Sequence, residues 1–199
     1  MRKSLTVLAL AALLLGGCSM VTSPEPMFTA ADAVGAPALR DGLWGGEDCR
    51  PSEVRKAVGR WKACDWVLKR GDEWLSLDET GWAATPFLVA AGAPLVAQLR
   101  DKPQAYLYYG LEPLARDADG RVTRARIWPV LCADKALEAR GETFADLTLG
   151  EDGNCTPAGP DAVRAAARSS RGAGAEGGDG DQVVGWLRDV RPGDFADQR

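Results

Sequence analysis

After Cys64 the spacing of apolar residues turns from that of a helix to that of strands, and this restricts the fold more than any other feature of the chain. Short alternating segments bounded by Gly, Pro and Asp follow one another as far as Leu131. Trp66 to Lys69 and Trp74 to Leu77 flank Gly71-Asp72; Phe87 to Ala91 and Leu95 to Leu99 flank Gly92-Ala93-Pro94; Ala105 to Leu111 and Arg121 to Leu131 flank Asp119-Gly120. Turns this tight join antiparallel neighbours. Pro113 predicts a bend or bulge in the third pair. Three hairpins in succession specify a mainly antiparallel sheet.

Helical spacing is confined to short stretches. Val54, Ala57, Val58 and Trp61 fall at i, i+3, i+4 and i+7, with Pro51 placed to open the helix. Two more helices are predicted, near Asp134 to Arg140, stopped by Gly141, and near Asp161 to Ser170, between Pro160 and Gly172. Phe144, Leu147 and Leu149 could add an edge strand, and Val183 to Val190 a last strand or helix. The expected fold is α+β, a curved antiparallel sheet of about six strands with two or three short helices and two disulfides. Gly42-Leu43-Trp44 is similar to the Gly-x-Trp of the first strand of lipocalin barrels. The resemblance covers three residues, and a helix-like stretch follows in place of the next strand of a barrel meander.

Residues 1–17 have the form of an export signal. Arg2 and Lys3 precede an apolar run from Leu5 to Leu15, eleven residues against the roughly 20 that a spanning helix needs. Leu15-Gly16-Gly17-Cys18 resembles the lipobox of bacterial lipoproteins, in which the chain is cut before the cysteine and the cysteine is acylated. The resemblance implies that Cys18 is the lipidation site, and Ser19 looks like the residue that sorts such proteins to the outer membrane. Two or three acyl chains on one cysteine give stable membrane attachment. Residues 18–39, with Pro24, Pro26 and Pro37 among Ser, Thr and Ala, are expected to form the lipidated cysteine and a flexible tether. A single domain then spans 40–171, a Gly-rich linker 172–182 and a C-terminal segment 183–199.

With Cys18 assigned to lipid, Cys49, Cys64, Cys132 and Cys155 remain, and an even number in an exported chain points to two disulfides. Four cysteines allow three connectivities; the local pairs Cys49 with Cys64 and Cys132 with Cys155 are favoured, each closing a loop worth about 3 kcal/mol. A four-cysteine zinc site would call for C-x-x-C spacing, which this chain lacks.

The absence of histidine is the firmest chemical statement the residues make. It excludes Ser-His-Asp and Cys-His machinery and histidine-ligated zinc. No Ser-x-x-Lys pair replaces them, since Ser52 has Arg55 at that spacing. Asp72, Glu73, Asp78, Glu79 and Glu112 could serve as acid and base on a glycan only if a cleft gathered them. Gly172-Ala173-Gly174-Ala175-Glu176-Gly177 matches G-x-G-x-x-G, but a predicted helix precedes it where a dinucleotide site needs a strand. Asp117-Ala118-Asp119-Gly120 lacks the ligand set of a calcium loop and reads as a turn, as does Arg70-Gly71-Asp72. A formal net charge of −4, more acidic still without Arg2 and Lys3, is not that of a nucleic-acid binder.

Aromatic residues are the remaining candidates. Trp44, Trp61, Trp66, Trp74 and Trp82, with Tyr106, Tyr108 and Tyr109, could line a glycan platform or apolar pocket, or simply fill the core. Arg121, Arg124 and Arg126 could meet an anion on one strand face or be solvated. Taken together these features predict a non-enzymatic, cofactor-free binding or scaffolding module, anchored in the outer membrane by lipid and meeting an envelope protein, peptidoglycan or lipid. The alternatives are a barrel-like carrier of a small apolar ligand and a histidine-free, glycan-cleaving enzyme that uses carboxylates.

Overall fold

A computed structural model describes residues 19–47, 49, 66–78, 81–102, 105–133, 135–173, 180–191 and 194. All three expected hairpins form: β4 (Trp66–Arg70) with β5 (Glu73–Asp78), β6 (Gly81–Ala90) with β7 (Leu95–Lys102), and β8 (Ala105–Arg116) with β9 (Val122–Pro129). The hairpins also pair with one another, β5 with β6 and β7 with β8, so the run is a continuous meander. Pro86 falls at the end of the β5 ladder and just before the β7 ladder begins at Phe87, so its missing N–H interrupts neither. Pro113 sits where the β8–β9 register shifts, the expected bulge.

The curved antiparallel sheet has more than the roughly six strands expected, and it closes on itself. β3 (Gly42–Gly46) pairs with β4, and β13 (Gln182–Arg188) enters between β3 and β9, antiparallel to both. The order β8-β7-β6-β5-β4-β3-β13-β9 returns to β8, closing an eight-stranded antiparallel barrel. Closure removes both edges of the curved sheet, an end that six strands could not have reached without these two. Gly42-Leu43-Trp44 therefore does open a barrel.

Between β9 and β13 the chain makes an excursion over the outside. It runs through β10 (Leu131–Ala133), helix α1 (Lys135–Ala139), the hairpin of β11 (Leu147–Leu149) and β12 (Cys155–Pro157), and helix α2 (Pro160–Ser170). Val163, Ala166 and Ala167 bring α2 against the wall, where Val96, Tyr108 and Val130 meet them. The Trp128 indole lies over Gly110 and donates to the Ala167 carbonyl at 2.8 Å; a Cβ on Gly110 would come within 2.1 Å of that ring. Ser170 Oγ accepts from the Leu131 N–H and lies within bonding distance of the Ala166 and Leu131 carbonyls, fixing the last turn of α2 to β10.

Residues 19–39 do not form the expected tether. β1 (Ser19–Met20) pairs with β10, and β2 (Thr22–Ser23) extends the wall along β8. Val21 and Phe28 are buried against the outer face, and Gln98 clamps Phe28 by accepting its N–H at 2.9 Å and donating to its carbonyl at 3.0 Å. Three prolines lower the cost of ordering such a segment as readily as they stiffen a free one.

Cys132 and Cys155 form the expected disulfide, joining β10 to β12. Cys49 is also disulfide-bonded, but the other half of its bridge, like Cys64 and the helix expected over 51–61, lies outside the described residues. Cys18 and most of the Gly-rich linker lie outside them as well. Among the described residues no helix is long and apolar enough to cross a membrane.

Candidate functional site

Alternation along each strand sends one set of side chains into the barrel. Direct cross-strand pairs define that set: Trp44 opposite Val67, Phe87 opposite Leu99, Ala97 opposite Tyr109, and Leu111 opposite Ile127. Leu43, Leu68 and Leu75, one residue out of phase, pair across the same strands on the opposite face. The inward set does not fill the barrel. It leaves a lumen of about 940 Å³ walled by Trp44, Trp74, Phe87, Leu99, Tyr109 and Ile127 among others.

One end of the lumen is closed by the segment that leads into β3. Leu39 bridges to Val122 and reaches the interior cluster of Trp44, Phe87 and Leu111. The Trp44 N–H donates to the Arg40 carbonyl at 2.8 Å and the Trp186 N–H to the Asp41 carbonyl at 3.0 Å, so two indoles hold two successive backbone carbonyls of this floor. The Arg40 guanidinium lies over the Trp186 ring, 3.6 Å from its centroid. Lys69 points inward at this end but is spent on Asp41 at 2.6 Å and the Gly71 carbonyl at 2.7 Å. Gly42 has φ +136°, and a Cβ there would come within 2.4 Å of the Trp186 nitrogen, so no other residue fits the corner. Asp117, in the β8–β9 turn, faces the Arg40 guanidinium at 3.8 Å and that of Arg121 at 2.9 Å. Partial burial pushes its carboxyl up, but bonds from the Arg121 backbone and guanidinium and from the Asp119 N–H outweigh this and hold it below the usual carboxylate range.

Among the described residues the other end is open. Gly46, Pro129 and Gln182 carry the wall to the rim, where Met20 and Leu131 join it. Glu47 stands there too, paired with Arg124 at 2.5 Å. Between floor and rim the wall is apolar and aromatic except for Thr85 and the polar tips of Trp74 and Tyr109. Trp74 packs edge-on to Trp44 and Phe87, and its N–H is shut off from solvent with no acceptor among the described residues.

Of the aromatic candidates, Trp44, Trp74 and Tyr109 meet in this lumen, while Tyr108 lies outside it. Burial pushes the Tyr108 phenol up, and its hydroxyl hydrogen-bonds Ser23 under Phe28. Trp61 and the side chains of Trp66 and Trp82 lie outside the described residues. The arginines of and just before β9 do not gather on an anion: Arg121 pairs with Asp117 and Asp119, Arg124 with Glu47, and Arg126 with Glu112. The candidate carboxylates are scattered as well. Asp72 is exposed in a turn, Glu73 pairs with Arg70, and Glu112 sits on the outer face between Arg126 and Arg171. Glu79 and the Asp78 side chain lie outside the described residues. Among the described residues no group of three or more His, Cys, Asp or Glu is placed to hold a metal. Phe87, Leu99, Leu111 and Ile127 were missed as site residues because a lumen-lining strand carries the same alternation as one packed on a solid core. No family model, curated protein or solved structure matches this chain.

Proposed function

We propose that this protein is a carrier that holds a small apolar ligand in the barrel lumen and is kept at the bacterial envelope by lipid on Cys18. The observation that carries the reading is a lumen of about 940 Å³, closed at one end and walled almost wholly by apolar and aromatic side chains. Eight-stranded barrels either fill their interior with side chains or hold one small ligand. A volume near the upper end of ordinary ligand pockets favours the second group. Apolar surface left facing water inside a fold forgoes roughly 25 cal/mol per Å², a loss that an apolar ligand would recover on binding. The polar groups of the floor are engaged with one another, so affinity would come from burial and ring contact, not from charge. Among the described residues a scaffolding role has no comparable feature in its favour.

The test is titration of the purified domain, residues 19–199, with a fluorescent polyene fatty acid. A single saturable site is expected, with energy transfer from Trp44 and Trp74 to the bound probe and displacement by unlabelled apolar competitors. Absence of saturable binding sinks the carrier reading.

A further inference from the structure

We infer that the open end of the lumen rests on the bilayer and takes its apolar ligand directly from membrane lipid. The inference rests on the carrier reading and on lipid attachment at Cys18. Ser19, the next residue, is already paired with Ala133, and Met20 with Leu131. The Met20 N–H donates to Asn154 Oδ1 at 3.2 Å, the Val21 N–H to the Val130 carbonyl at 2.8 Å, and Val21 is fully buried. No slack therefore lies between the acylated cysteine and the body of the domain. Met20 and Leu131 are themselves part of the lumen wall at its open end.

The geometry follows from chain dimensions. At about 3.3 Å per extended residue, the Cα of Cys18 lies within roughly 7 Å of that of Met20. The headgroup layer on each side of a bilayer is about 5 to 8 Å thick. Acyl chains sunk in hydrocarbon would thus draw the rim into the headgroups, leaving little water for an apolar ligand to cross. Leu149, 64 % exposed, pairs with Cys155, which in turn bridges to Val21, the residue after Met20 of the rim. Glu151 and Asp152 in that hairpin, with a formal net charge of −4 that becomes more negative without Arg2 and Lys3, favour neutral lipid over anionic lipid. The occupant assigned to this surface is a zwitterionic membrane, and the cargo is an acyl chain drawn from it.

The experiment uses the full, processed and acylated protein in phosphatidylcholine vesicles that contain a trace of the polyene fatty acid. It is compared with a variant carrying 20 Gly and Ser residues between Cys18 and Ser19, a spacer of about 25 Å root-mean-square length. Uptake from the vesicles, followed by tryptophan energy transfer, should slow at least tenfold in the variant, while uptake of the same probe from water is unchanged. Equal rates from vesicles overturn the inference and leave the carrier reading standing. No saturable uptake from water by either protein overturns both. Failure of Cys18 to incorporate labelled fatty acid in cells overturns the inference while the lumen still binds.

Discussion

At the scale of single residues, the two lumen tryptophans differ in what their N–H groups meet. Trp44 is 1 % exposed and donates to the Arg40 carbonyl, so Trp44→Phe would remove volume from the core and leave a floor carbonyl without its donor. A loss of about 2 kcal/mol is expected. Trp74→Phe discards a donor that meets no acceptor among the described residues and keeps a ring beside Trp44 and Phe87. Its cost should stay under about 1 kcal/mol. Urea denaturation of both variants measures the contrast, and equal losses would mean that the Trp74 N–H has an accepting partner in solution.

At the scale of elements, the hairpins were legible and their closure was not. Gly71-Asp72, Gly92-Ala93-Pro94 and Asp119-Gly120 are local turn signals, and each joins the strands that the alternation predicts. β3 and β13 carry no such signal, because β3 is GLWGG, β13 has Gly185 at its centre, and most of the chain separates them. Long-range pairing is paid for by closure and packing, which local sequence does not encode. β6 begins six residues before the expected Phe87, since Gly81, Ala83, Ala84 and Pro86 are poor strand formers that the barrel overrides. The N-terminal segment was misread for the opposite reason: its Pro, Ser and Thr are compatible with a tether, and Val21, Phe28 and Leu39, without periodicity, carry the packing.

The β8–β9 turn also makes the floor sensitive to acid. With its folded pKa below the ordinary carboxylate value, Asp117 contributes stability that is complete above that value and is lost as pH falls through it toward the lowered one. Arg40 and Arg121 face this carboxylate, and Asp189 and Asp119 share those guanidiniums. Asp117→Asn should be less stable than wild type at neutral pH and lose less on acidification, so that the two curves converge in acid. Parallel curves in urea denaturation between pH 7 and pH 3 would remove Asp117 from the floor's acid response.

At the scale of the whole molecule, the barrel has two interiors, one packed and one open, and the same substitution should tell them apart. Ala97 faces the lumen opposite Tyr109, whereas Ala166 is buried between α2 and the outer wall. Ala97 is 4 % exposed within the wall cluster but borders the lumen, so the Ala97→Phe ring extends into the lumen and should cost less stability than Ala166→Phe while weakening ligand binding at least tenfold. Ala166→Phe forces a ring into a packed interface and should cost at least 1 to 3 kcal/mol. Comparable destabilisation by the two would mean that the lumen is collapsed in solution.

The position of β13 also governs how the molecule can be assembled. This strand lies beyond the whole outer excursion, yet it fills the gap between β3 and β9. Until it arrives, the meander is an open sheet with two unsatisfied edges, the form of β-structure most inclined to pair with other chains. A polypeptide emerging N-terminus first cannot seal the barrel until nearly all of it has been made. Premature termination anywhere before Gln182 should therefore yield an aggregating, protease-sensitive product rather than a smaller barrel.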